Sequence, residues 1–428
     1  FVDLLVGSPP QVVSVIVDTG STIVGFPCSN CQHCGHHIDP PFDFQKSSSA
    51  SWVGCTALAV CNNGCLQKRC SYSQSYTEGS SISGFWFQDY VHLGDFEQRN
   101  PAVRAQMGCH INENRLFYTQ RANGILGMAP MHSSRSRSTI LQDLFDDNAH
   151  VVSDVFSICL AIWGGKLTVG GYNASLHVQS SVLQWMPMTT AAYYSVNLQQ
   201  IQLAGRDITS WSFGPTIVDS GTTYTYFPGA VYDSLVAALK NYCKSGLGCE
   251  ANYDGKNCWK LREGVFYPDL FPPLVMHFVE DVKISWSPRA YLYQRDSSAW
   301  WCHSFADNGA DQSTVLGASW MLLKDVIFDI HNGRLGVVEA NCPEHRREND
   351  SVFIADEETG TYQAMSQGPW LSIFNKRVPL LIPLLAIVIA CLGAIALYQV
   401  CTIRRSVYES LGSNIGRGDS RSTRSPRR

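Results

Sequence analysis

One six-residue pattern is written twice in this chain. Ile16-Val17-Asp18-Thr19-Gly20-Ser21 returns as Ile217-Val218-Asp219-Ser220-Gly221-Thr222. Each copy is followed by an apolar stretch closed by glycine, Gly124-Ile125-Leu126-Gly127 after the first and Thr314-Val315-Leu316-Gly317 after the second. From aspartate to final glycine the separations are 109 and 98 residues. A lone Asp-Thr-Gly is an ordinary turn, but an ordered set repeated at long period marks one structural unit used twice. Two such units related by a pseudo-two-fold axis set Asp18 and Asp219 face to face.

That meeting has chemical consequences. Two carboxylates in close contact cannot both ionise cheaply, so they share a proton and titrate as a pair. The ionised member can take a proton from a water molecule while the protonated member donates to a carbonyl oxygen. Water then attacks directly, without a covalent intermediate on the protein. The flanking residue types suit this arrangement. Gly20 and Gly221 permit close backbone approach. Thr19 and Ser220 can hydrogen-bond across to the opposite loop, and Ser21 and Thr222 can donate to the outer carboxylate oxygens.

The surrounding text is mostly β. Short runs of β-branched and aromatic residues, punctuated by glycine and proline, predict strands at 12–17, 83–90, 167–170, 195–203, 275–278 and 326–330. The best helix spans 228–242, with Val231, Leu235, Ala238, Leu239 and Tyr242 on one face. Hydrophobic residues make up 45% and charged residues 16%, which places the chain among folded proteins and outside the disordered ones.

Charge is unevenly distributed. Residues 404–428 hold seven Arg against Glu409 and Asp419, so that tail is net +5 while residues 1–403 carry -9. An acidic body excludes nucleic acid as a partner, because phosphates require a positive surface. Before the tail, residues 378–403 run for 26 positions without a charge, long enough to span a bilayer as a tilted helix. The arginines beyond it favour a cytosolic tail and a lumenal body. The tail also carries Tyr408-Glu409-Ser410-Leu411, which has the form of a tyrosine-based sorting signal.

Sixteen cysteines are present, of which Cys391 and Cys401 fall in the apolar run. Fourteen in the body imply an oxidising compartment and disulfides. Asn173-Ala174-Ser175 and Asn349-Asp350-Ser351 are glycosylation acceptors in keeping with that compartment. Cys28, Cys31, Cys34, His36 and His37 have the spacing of zinc ligands, yet beside Cys55, Cys61, Cys65 and Cys70 disulfides are the better account. Neither a metal nor another cofactor is expected. Seven cysteines in this segment make an odd number, so one must pair elsewhere. The chain opens at Phe1 within a strand-like stretch and shows no targeting signal, which places the true N-terminus upstream.

On these motifs the chain resembles the pepsin-like aspartic proteases over residues 1–342. Tyr76-Thr77-Glu78-Gly79-Ser80 is similar to their flap hairpin, which implies that Tyr76 and Gly79 close over an extended peptide. The tryptophan usual after the first aspartate loop is replaced around Gly25-Phe26-Pro27, so the wall of the pocket beside the dyad must be built differently. The cysteine-rich segment, with Met107-Gly108-Cys109-His110 and Ala340-Asn341-Cys342-Pro343, resembles the nepenthesin-like branch, and within it plasmepsin V and its apicomplexan relatives. That group implies cleavage of secretory cargo at Arg-x-Leu motifs in the endoplasmic reticulum or Golgi, with Glu78 and Asp39 meeting the arginine. Thr77 stands where some relatives have a free cysteine, and Ser81 is a poor match to a further pocket residue. The resemblance pairs Cys109 with Cys159, and Cys302 with Cys342 is the second expected pair.

The expected architecture is thus a mostly β, bilobal pepsin-like fold with pseudo-two-fold symmetry and a C-terminal transmembrane helix. Residues 1–188 form the first lobe with the first loop, Cys-rich insert and flap, and 189–343 the second. A polar stalk covers 344–377, the membrane helix 378–403 and the basic cytosolic tail 404–428. The expected protein is a monomeric type I membrane endopeptidase acting on polypeptides. The rival within the same chemistry is a general degradative protease of a vacuole or cell surface, with hydrophobic specificity.

Overall fold

A computed structural model describes residues 1–55, 61, 63–93, 102–130, 139–147, 151, 153–208, 212–244, 249, 251–261, 268–295 and 299–344, together with the strands Val352–Ala355 and Tyr362–Met365. Residues Phe1–Arg347 belong to one compact body, and the antiparallel pair Val352–Ala355 with Tyr362–Met365 to a second unit. No helix among the described residues is long and apolar enough to cross a membrane. The apolar run 378–403, Cys391, Cys401, the Asn349 acceptor and the tail lie outside the described residues.

The doubled pattern appears as a doubled piece of sheet. Strand Gln11–Asp18 runs parallel to Gly124–Gly127, placing Asp18 beside Gly127. Thr216–Val218 runs parallel to Thr314–Leu316 in the same way, with Val218 beside Leu316. Each apolar-Gly strand also pairs antiparallel with the strand after the aspartate loop, Val24–Pro27 in the first half and Thr225–Phe227 in the second. Parallel strands covered on both faces must be apolar throughout, which accounts for the runs of Val and Ile before each aspartate.

Around these cores the halves diverge. The first belongs to a nine-stranded sheet that includes the long hairpin of Arg69–Ser75 and Ser81–Leu93, backed by Val103–Glu113. The second belongs to a five-stranded sheet, flanked by two four-stranded ones. The strand expected across 195–203 is two strands: Ser195–Val196 joins the sheet of the second aspartate and Leu198–Leu203 a neighbouring sheet. Hydrophobic alternation runs on through such a break, because both pieces bury one face.

A further five-stranded sheet draws on both halves, in the order Gly164–Val169, Val155–Ala161, Lys324–Asp329, Arg334–Glu339, Gln184–Pro187. The boundary placed at residue 188 is therefore crossed by hydrogen-bonded strands from each side. The helix forms at Gly229–Lys244 and buries Val231, Leu235, Val236 and Leu239, a stripe at helical spacing.

Among the described residues seven disulfides are formed. Both expected pairings are corrected. Cys109 bonds Cys28, since Val24–Pro27 runs parallel to the strand of Cys109 and carries Cys28 to a Cα separation of 5.4 Å. Cys159 bonds Cys342 because the chain leaving Arg334–Glu339 returns past Val155–Ala161. Cys302 bonds Cys258, which stands directly opposite it on the adjacent antiparallel strand. In the insert, Cys31 bonds Cys34, Cys55 bonds Cys65 and Cys61 bonds Cys70, so the odd cysteine is Cys28. With their sulfurs so engaged, Cys28, Cys31 and Cys34 have no thiolates to offer a metal.

Candidate active site

Asp18 and Asp219 meet at the ends of the twin strands. A methyl group on Gly20 would lie 2.7 Å from the Asp219 carboxyl carbon, and one on Gly221 would collide with the Asp18 carboxylate. Only glycine lets each loop pass that close to the opposite acid. Each carboxylate is held alike by its own loop. Gly20 donates its N–H to Asp18 Oδ1 at 2.8 Å and Ser21 its hydroxyl to Oδ2. Gly221 donates to Asp219 Oδ1 at 2.9 Å and Thr222 to Oδ2 at 2.6 Å.

Four bonds tie the loops together. Thr19 Oγ1 donates to the Val218 carbonyl (2.9 Å) and accepts the Ser220 N–H (2.9 Å). Ser220 Oγ donates to the Val17 carbonyl (2.7 Å) and accepts the Thr19 N–H (3.1 Å). Thr19 is fully buried, so its hydroxyl depends on these bonds.

The environments of the two acids differ. Asp18 is 6% exposed while Asp219 is only half-buried. Burial, with the charge of Asp219 behind it, pushes the Asp18 carboxyl up to about 7. Below that value the pair shares a proton, and burial favours the neutral carboxyl at Asp18.

Tyr76 stands at the start of the turn joining Arg69–Ser75 to Ser81–Leu93, where its N–H bonds the Ser80 carbonyl at 2.9 Å. Its ring lies 5.0 Å from that of Phe117. Burial raises its phenol, with the charges of Asp18 and Glu78 adding to the effect and a hydrogen bond with Ser21 opposing it, so the phenol lies close to the first aspartate loop. The hydroxyl is buried. Gly79 adopts a φ of 87°, a conformation this tight turn obtains from glycine. Glu78 is exposed at the turn. Asp39 Oδ2 accepts the Ser14 N–H at 3.0 Å, and its backbone exchanges two bonds with Asn123. That carboxylate braces the strand leading into Asp18.

Phe26, which follows the first loop in place of the usual tryptophan, is fully buried and packs edge-on against Phe42 and Phe87. The aromatic beside the flap is instead Phe117, from the short helix Arg115–Thr119. Sequence reading passed over that helix and the residues before it, Glu113 and Asn114. The polar run Asn112-Glu113-Asn114-Arg115 reads as an exposed loop, although Glu113 is fully buried. The usable signal was His110 three residues earlier, on the same strand.

The family model for eukaryotic aspartyl proteases matches residues 1–340. Aspartic protease 5 of Toxoplasma gondii is 33% identical over 361 residues, covering 80% of this chain and 36% of that protein. Plasmepsin V of Plasmodium falciparum is 26% identical, covering 83% of this chain and 75% of that protein. Aspartic proteinase 39 of Arabidopsis thaliana is 25% identical, with 92% and 84% covered. The chain thus spans about a third of the first relative's length and three quarters of the second's.

Proposed function

The chain belongs to the eukaryotic aspartyl protease family, and from that premise we propose that it is a membrane-anchored endopeptidase that processes secretory cargo at Arg-x-Leu type motifs. The observation that carries the peptidase reading is the approach of each catalytic loop's glycine to the opposite carboxylate, which brings Asp18 and Asp219 together at the ends of the twin strands. Asp219 takes a proton from a water molecule as the water oxygen adds to the peptide carbonyl carbon. Asp18 gives its proton to the carbonyl oxygen, forming a neutral diol. Collapse of the diol returns a proton through the pair to the amide nitrogen, and the C–N bond breaks. Hydroxyls of Ser21 and Thr222 stabilise whichever carboxylate is ionised.

The cargo reading draws on the likeness to plasmepsin V, on the exposed Glu78 carboxylate at the flap and on a disulfide-rich body, which suits an oxidising lumen. On this reading the charge-free run 378–403 anchors the enzyme in the membrane of the endoplasmic reticulum or Golgi as a type I protein. One observation favours the degradative alternative. Asp39, the second acid expected in an arginine pocket, gives an oxygen to Ser14 instead.

A peptide library incubated with the lumenal body separates these outcomes. Cargo processing predicts enrichment of Arg two residues before a cleaved Leu bond, lost in Glu78→Ala. A broad preference for two apolar residues around the cut would overturn it in favour of degradation. Either Asp18→Ala or Asp219→Ala should abolish cleavage, and appreciable turnover by either variant would refute the dyad.

A further inference from the structure

Glu113 ends the strand Val103–Glu113 and is buried completely, yet none of the chemistry above uses it. Its Oε1 lies 2.7 Å from His110 Nδ1 and its Oε2 3.0 Å from His37 Nε2. The other nitrogen of His37 lies 3.0 Å from the Gln120 carbonyl. Carboxylate and carbonyl can only accept, so both nitrogens of His37 carry hydrogen and the ring is an imidazolium. The Glu113 carbonyl is engaged as well, by His33 Nδ1 at 2.9 Å. Burial would push the Glu113 carboxyl up, but the bonds from His110 and His37 overcome this and hold it below the usual carboxylate range. Two histidines of the Cys-rich insert thus grip this one residue.

The next four residues each hold the flap. Asn114 accepts the Ser81 N–H (2.7 Å), donates to Ser81 Oγ (2.8 Å) and gives its own N–H to the Ser81 carbonyl (3.2 Å). Arg115 donates to the Glu78 carbonyl at 3.2 Å and lies where a side chain on Gly79 would be. Leu116 N–H reaches Ser80 Oγ at 3.3 Å, and Phe117 supports the Tyr76 ring. Arg115 does this from a φ of 47°, a left-handed conformation that a non-glycine residue adopts only when its surroundings impose it.

We propose that Glu113 is a positioning residue for the flap: clamped between His110 and His37, it fixes residues 114–117 as a clasp on residues 76–81. The insert thereby sets how firmly the lid closes over the dyad, and so how tightly substrate is held. This rests on the peptidase reading only in that substrate is a peptide.

The test is Glu113→Gln, which keeps the size of the side chain and removes the charge. KM for a cleaved peptide should rise about tenfold while kcat stays within about twofold, because the dyad is untouched once the lid is shut. In the unliganded protein, amide hydrogen exchange at residues 76–81 should speed by about the same factor, with strand Gln11–Asp18 unchanged. His37→Gln should match it, and the double variant should add nothing further. Uniformly faster exchange, or a fall in kcat with KM constant, would overturn the proposal in favour of a merely structural pair. Should Glu113→Gln not fold, Asn114→Ala outside the buried cluster must give the same KM rise, and a wild-type KM there would equally overturn it. If the wild type cleaves no peptide, the peptidase reading fails, and the exchange comparison still decides whether Glu113 governs the flap.

Discussion

Replacing Thr19 by valine tests how far the catalytic geometry depends on the link between the two loops. The substitution keeps shape and volume and deletes one hydroxyl. That hydroxyl serves two backbone groups of the other loop, the buried Val218 carbonyl and the partly buried Ser220 N–H. Each loses a partner at about 1–3 kcal/mol. The sum, roughly 2–6 kcal/mol, is a large fraction of the ~5–15 kcal/mol that holds a domain folded. Ser220→Ala removes the reciprocal pair of bonds, to the Val17 carbonyl and the Thr19 N–H. Because the four bonds close one ring, the double variant should cost less than the two singles together, with a coupling of about 0.5–3 kcal/mol. Equilibrium unfolding in guanidinium, followed by tryptophan fluorescence with disulfides intact, gives the three differences. Peptide cleavage should fall further than stability, since a misplacement of about 1 Å between reacting groups costs ~100-fold in rate. A Thr19→Val protein within about 0.5 kcal/mol of wild type and fully active, or strict additivity, would refute the reasoning.

Three other outcomes follow from buried charge and covalent cross-links. Asp18 ionises near 3.8 in the unfolded chain and at about 7 in the fold, so wild-type stability falls as pH rises between those values and levels off above. Thermal melts of Asp18→Asn should therefore gain on wild type from pH 4 to pH 7, by up to ~4 kcal/mol, and an unchanged gap would contradict the assignment. Lys324 is the opposite case: burial lowers its amine to about 7, and its Nζ donates to the Trp320 carbonyl at 2.9 Å. In Lys324→Met the advantage over wild type should be largest at pH 7 and below and shrink as pH approaches 10.5, where the unfolded lysine also loses its proton; melts across that range read it directly. Removing Cys28–Cys109, whose partners are 81 residues apart, should cost ~4 kcal/mol by loop closure, against ~2 kcal/mol for Cys31–Cys34 at a separation of three. Unfolding of the two double-alanine proteins gives that order or reverses it.

What could be read from the residues was whatever chemistry lies in contiguous text. The two aspartate loops carry their glycines, hydroxyls and approach strands within six positions each, so both the pair and its helpers were legible. The helix at Gly229–Lys244 was legible for the same reason, through its own periodicity. Partnerships through space were not. Cys109 finds Cys28 because two strands run parallel, and Cys302 finds Cys258 because two others lie antiparallel, neither of which spacing records. Glu113 carried no signal in its own stretch of text, because its partner His37 lies in the remote insert, and the bond between Asp39 and Ser14 likewise joins separate segments. Buried polar residues are understood only with their partners, and those come from remote parts of the chain.

The sheet shared by the two halves bears on biosynthesis. Strand Val155–Ala161 emerges from the ribosome with a hydrophobic edge whose permanent neighbour, Lys324–Asp329, is not yet translated. A nascent enzyme must keep that edge from adhering to other chains for more than 160 residues of synthesis, which is work for chaperones. The same delay is a safeguard: the strand that carries Asp18 is made well ahead of the one that leads to Asp219, and the two acids cannot meet until the second half has folded.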